Sequence, residues 1–153
     1  MRKRCRRKVW STEINPVAHA IAGAAITTRS QLNDLRAREY SALDEMVNGR
    51  GTLEHWNTLK DLLNLSETMA RSGIGIEVLE VCQKAQDALV ECGKYFEKTG
   101  HFCFSGPGIQ AMRDLIEYAD LQQSSISRSE LERYIEKTRN YIMSNMDKIV
   151  IMT

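Results

Sequence analysis

The sequence predicts an all-α fold: a single-domain bundle of five or six antiparallel helices with a basic N-terminal arm. Three observations predict it. Apolar residues recur at steps of three and four through most of the chain. Glycine, proline and Ser/Thr capping signals punctuate it at helix-length intervals. The 153 residues are 42% hydrophobic and 27% charged, which suits one ordinary globular domain able to bury a core without staples. The expected organisation is an arm over 1–12, a helical bundle over 13–146 and a tail over 147–153.

Asn15-Pro16 supplies an N-cap followed by proline at the first helical position, opening a short helix to about Ala25. Thr28 with Gln31 resembles a capping box, and Leu32, Leu35, Leu43, Met46 and Val47 then form one apolar face before Gly49 and Gly51. Thr52 opens the next helix, with Leu53, Trp56, Leu59, Leu62, Leu63 and Met69 facing the core until Gly73. From Ile76 to Thr99 the period is clearest: Val78, Leu79, Cys82, Ala85, Leu89, Cys92 and Phe96 lie close to heptad order, and Gly100 is a natural stop. The connector "HFCFSGPG" carries enough apolar content to pack down on the bundle. Pro107 starts a helix with Ile109, Met112, Leu115, Ile116 and Ala119 inward, and "SSISRS" breaks it. Ser127 and Glu130 make a second capping box ahead of Leu131, Tyr134, Ile135, Tyr141 and Ile142. "KIVIM" could form a short strand but has no evident partner strand.

The formal net charge of +1 hides an asymmetry: residues 1–9 hold six of the 21 Lys and Arg and no acid, and the remainder carries −5. A basic arm on an acidic body points to a polyanion contact confined to one end, or to a contact between arm and body. The candidate binding residues are Arg2, Lys3, Arg4, Arg6, Arg7 and Lys8, with Trp10 placed to stack on a base or dock the arm. The alternative is a solvated tail. Four widely spaced cysteines, two of them within the strongest helix, read as small apolar core residues of a reducing compartment. Glu13 and Asn15 separate the basic start from the weakly hydrophobic "PVAHAIAGAAI", and His19 interrupts that run, which argues against a signal peptide. No stretch approaches the length of a membrane span.

Spacings that carry chemistry are scarce. There is no HExxH, ExxH, CxxC or GxxxxGK[ST]. His101, Cys103 and Cys92 are a conceivable metal set, and His101 with Cys103 a conceivable nucleophile pair, but a thiol packed under a loop explains "HFCF" as well. Asp114, Glu117 and Asp120 step by three down one side of a helix, and a solvated acidic face outweighs an acid/base site. "SETMARSGIGIEVLEV" resembles a helix-turn-helix only loosely: Ala70 is misplaced relative to Gly73 and Gly75, and Glu77 and Glu80 would repel phosphates. No enzyme activity, metal or cofactor is therefore expected.

Four stretches, "MRKRCRRKVW", "NPVAHAIAGA", "NLSETMARSGIG" and "GIQAMRDLIEYADLQQSSISRSE", give nearly the whole chain a resemblance to small helical proteins carried by phages and mobile elements of Gram-negative bacteria. None of the four is a catalytic signature. The resemblance implies a mobile-element origin and cytoplasmic action by binding. The expected function is that of a non-enzymatic interaction protein that inhibits a host protein or nucleoprotein complex, a CRISPR defence nucleoprotein (an anti-CRISPR role) being the most concrete case. The alternative is a nucleic-acid-binding transcriptional regulator that holds DNA or RNA through the arm. No membrane partner is expected, and the outer side of the 76–99 helix could hide a homodimer seam.

Overall fold

The structure, a computed structural model, describes residues 29–145. The arm, the expected helix from Pro16 to Ala25, the Thr28 cap and "KIVIM" lie outside the described residues. Within them the chain forms five helices and no strand: α1 (Arg29–Val47), α2 (Leu53–Arg71), α3 (Val78–Thr99), α4 (Gly106–Ser124) and α5 (Arg128–Ser144). Short turns join consecutive helices, so neighbours run antiparallel.

Helices α1 to α4 close into a ring in which each touches the next and α4 returns to α1, with α2 and α4 also in contact across the middle. Met46, Leu59, Met112, Leu115 and Ile116 fill the centre. The most extensive contact is α3 on α4, where the inward residues of α3 are small: Ala85, Ala88, Cys92 and Gly93. Small side chains let two helix backbones approach closely. Trp56 is buried with its indole N–H donating to the Leu89 carbonyl (3.2 Å), which ties α2 to α3 without an orphaned polar group.

Helix ends follow the capping chemistry of the sequence. Ser127 and Glu130 form the expected box at the start of α5. Helix α2 ends in a Schellman motif: Ile74 N–H donates to the Met69 carbonyl and Gly73 N–H to the Ala70 carbonyl, with Gly73 at φ +96°. Thr52 caps α2, but its reciprocal partner is unusual, since the imidazole Nδ1 of His55 accepts the Thr52 N–H (3.2 Å) where Glu or Gln is the common choice. "HFCFSGPG" does pack down. Phe102 and Phe104 are buried, and Phe102 stacks on Phe96 at 4.1 Å between ring centroids.

Helix α5 stands apart. It packs principally on α2, anchored near its start by a satellite cluster of Met69, Ile126 and Leu131 with Leu65, Ile74 and Tyr134 around it. Only Leu131 and Thr138 of α5 are buried.

Several apolar positions are less covered than their period suggests: Leu53, expected to face the core, is exposed, and so are Leu35, Val47, Ile135 and Tyr141. The helix expected from Ile76 begins at Val78, and Ile76 is exposed too. Helical period gives the side of a helix that is apolar but not whether a neighbour covers it. Leu35 and Ile135 face an open valley between α1 and α5, and Val47, Leu53 and Ile76 lie at helix ends.

Candidate functional site

The seven residues expected to bind a polyanion, Arg2, Lys3, Arg4, Arg6, Arg7, Lys8 and Trp10, lie outside the described residues. The chemical candidates that are described do not gather into one site: Cys92 and Cys103 are neighbours, but one thiol is buried and the other exposed. Cys92 is buried, and desolvation pushes its thiol up to about 11, against which a hydrogen bond from the Cys103 backbone works weakly. Cys103 points outward, its thiol donating to the Phe104 carbonyl (3.7 Å), and His101 is exposed. Among the described residues no three His, Cys, Asp or Glu side chains gather closely enough to hold a metal ion. Cys82 is likewise buried, with its thiol raised to about 12 by desolvation, so neither helical cysteine is an available nucleophile.

The carboxylates of α4 are not equivalent. Asp114 accepts from Gln110 (2.8 Å) and Glu117 is exposed, whereas Asp120 is part-buried and pairs with Arg36 of α1 (3.3 Å). Glu39, one turn along α1 from Arg36, sits in a largely apolar setting. Burial, reinforced by the Asp120 charge, raises its carboxyl to about 7 against the opposing pull of Arg38 and Arg36.

What the fold does assemble is a pair of grooves, one on each side of α5. The larger, of about 730 Å³, runs between α5 and the α2/α3 pair. Trp56, Leu63, Leu89, Val90, Tyr141 and Ile142 supply its apolar lining, and Lys60, Glu67, Arg71 and Lys137 its charged rim. Arg71 and Glu67 pair at 2.7 Å, and Lys137 donates to Ser72 (3.0 Å), which ties α5 to the end of α2. The smaller groove, of about 430 Å³, separates α5 from α1 over α2 and is lined by Leu35, Leu62, Leu65, Ile135 and Met143, with Glu39 and Arg38 among the polar members. Tyr141 and Met143 are 64% and 67% exposed. Large apolar side chains therefore stand open beside concave surface on both sides of α5.

Sequence reasoning misses this face because period marks Ile135 and Tyr141 as apolar without showing that no neighbour covers them, whereas Trp56, expected inside, is buried and lines the groove from the core side. The available signal lay in α5 itself, where Ile135, Tyr141, Ile142 and Met143 spread over more than one helical stripe. No protein-family model matches the chain, and no curated protein or solved structure matches it either. No helix among the described residues is long and apolar enough to cross a membrane.

Proposed function

We propose that the protein is a non-enzymatic interaction protein that engages a host macromolecule through the face formed by α5 and its two grooves. The observation that carries this reading is the pair of open apolar grooves flanking a helix with only two buried residues. The chemically competent residues support it by contrast, since the cysteines of α3 are desolvated and His55 is spent on a helix cap. The six cations of residues 1–9 add chemistry suited to a nucleic-acid or acidic protein surface. The resemblance to proteins of phages and mobile elements gives the target class: cytoplasmic host machinery, with a CRISPR nucleoprotein as the most concrete candidate and occlusion as the mode of inhibition.

The second reading, a nucleic-acid-binding regulator, is favoured by the same cationic run. The two readings separate in one experiment. The tagged protein is used to capture partners from host lysate, with and without nuclease and with and without residues 1–9, beside a Tyr141→Asp/Val90→Asp variant. An interaction protein recovers a defined host protein after nuclease treatment and loses it in the groove variant. A regulator recovers nucleic acid alone, with affinity falling by about 0.9 log units per log of salt for each phosphate contact, and loses it with residues 1–9. That second outcome overturns the proposal.

A further inference from the structure

Helices α3 and α5 both pack on α2 but make no contact of comparable extent with each other. The stripe of α2 between them is the floor of a trough, the larger of the two grooves, which runs from Trp56 to Ser72, about 24 Å of helix axis. Its two ends are chemically distinct. Trp56 donates to the Leu89 carbonyl and has the Lys60 ammonium 5.8 Å from its ring centre, so Lys60 shares one end with Leu89 and Val90. At the other end Lys137 donates to Ser72, and Tyr141 lies within electrostatic reach of Arg71.

Charge sets this trough apart from the rest of the molecule. Beyond residue 9 the chain carries a formal −5, yet the trough is lined by three cations, Lys60, Arg71 and Lys137, and by one acid, Glu67. Glu67 is committed to Arg71 at 2.7 Å. Lys60 meets the Asn57 amide oxygen at 3.1 Å and Asp61 only at 3.8 Å, and Asp61 lines the other groove. Lys137 meets a neutral hydroxyl and pairs with no carboxylate among the described residues. The smaller groove balances Arg38 and Arg139 against Glu39 and Asp61. Of the two, the larger is the one that offers positive charge to a partner.

The walls decide the backbone of the occupant. All three are helices, whose backbone groups bond internally, and no strand is present among the described residues, so the trough offers no sheet edge to an extended peptide. An extended segment would lay unpaired N–H and C=O groups on Leu63, Leu89 and Val90. A helix satisfies its own backbone and completes the trough as the fourth member of a local bundle. Lys60 and Arg71 stand eleven residues apart on α2, close to three turns, or roughly 16 Å. We propose that the α2/α3/α5 groove binds an acidic amphipathic helix with a carboxylate at each end of an aliphatic stripe about three turns long. One carboxylate meets Lys60, the other meets Arg71 and Lys137, and the stripe lies on Leu63, Val90 and Tyr141. That this helix belongs to a host partner rests on the function proposed above; the preference of the groove does not.

The test is a selection on immobilised, purified full-length protein from a displayed library of helices randomised along one face. The expected survivors carry aliphatic residues flanked by Asp or Glu about three turns apart, and Val90→Asp fails to hold them. Lys60→Gln/Lys137→Gln binds those survivors about tenfold more weakly. Lys60→Glu/Lys137→Glu selects Lys and Arg at the same positions instead, an inversion that misfolding cannot produce. An empty selection, survivors without acidic bias, or an acidic bias that persists with Lys60→Gln/Lys137→Gln would overturn the proposal. Binding abolished by Met143→Asp but not by Val90→Asp would place the helix in the smaller groove and overturn it equally. So would single-stranded DNA that competes with the survivors and loses affinity with both lysines, since the cations would then serve phosphates. A host protein captured through Tyr141 and Val90 but still held by Lys60→Gln/Lys137→Gln would leave the interaction reading standing and overturn this one. Failure of lysate capture with the acidic selection intact would count against the interaction reading and support the preference of the groove.

Discussion

Glu39 shows how one residue can set a pH response. Its carboxyl ionises near 4.5 in an unfolded chain and near 7 in the fold. Between those values the folded state binds the proton more firmly, so stability falls as pH rises through the window. The groups around it are Arg36 and Arg38 on its own helix and Asp120 from α4. Glu39→Gln removes the penalty: chemical denaturation gives a variant more stable than the parent by about 1–3 kcal/mol at pH 8, with the gain shrinking as pH falls and vanishing below about pH 4.5. Cysteine reactivity is a second residue-scale expectation. In the native protein a thiol reagent modifies Cys103 quickly and leaves Cys82 and Cys92 untouched until denaturant is added, as peptide mapping would show. Gly51 is constrained by proximity rather than by φ. A Cβ there would stand 2.7 Å from Met46 Cγ and 3.0 Å from its Cα. Met46 is fully buried, so Gly51→Ala costs about 1–3 kcal/mol in thermal or urea unfolding.

Among the elements, α3 and α5 mark the two ends of what could be read in advance. Helix α3 presents one unbroken stripe from Val78 to Cys92, and two neighbours cover it, so periodicity alone located its core face. Helix α5 has a sharp start, where Ser127 and Glu130 announced the cap, but an illegible packing. Its apolar residues wrap around the helix and α2 is its principal neighbour, so Ile135 and Tyr141, though in step with the apolar pattern, are exposed. The grooves are illegible for the same reason, since nothing in the sequence marks Lys60, Glu67 and Arg71 of α2 as neighbours of α5. Only the folded chain brings residues 56–72, 86–90 and 137–142 onto one surface. The cap gives α5 its own prediction. Ser127→Ala loses about 1 kcal/mol, and because α5 is thinly held the loss appears locally. Hydrogen exchange accelerates in the first turns of α5 while the protected amides of α1 to α4 keep their rates.

For the molecule as a whole, the division into a closed four-helix ring and an applied fifth helix implies two levels of stability. Leu115→Ala, at the centre of the ring, lowers global unfolding free energy by about 2–5 kcal/mol and shifts every helix together. Leu131→Ala, in the satellite cluster, raises exchange across α5 well before it moves the ring, which native-state hydrogen exchange would resolve. Equal acceleration in all five helices for Leu131→Ala would show instead that the protein opens as a single unit.

Gln122 carries a consequence for how this chain can be rebuilt. Buried near the end of α4, its amide Nε2 donates to the Ser66 carbonyl of α2 (3.2 Å) and to the Ile74 carbonyl of the α2–α3 turn (2.8 Å). One uncharged side chain therefore rivets the 72–77 turn to a helix more than forty residues further along. The 48–52 turn, similar in length, has exposed Asn48 and Gly49 at its crest and its bonds are local ones. New termini or an inserted reporter module are thus tolerated after Gly49 and rejected within 72–77, a difference that loop length alone would never suggest.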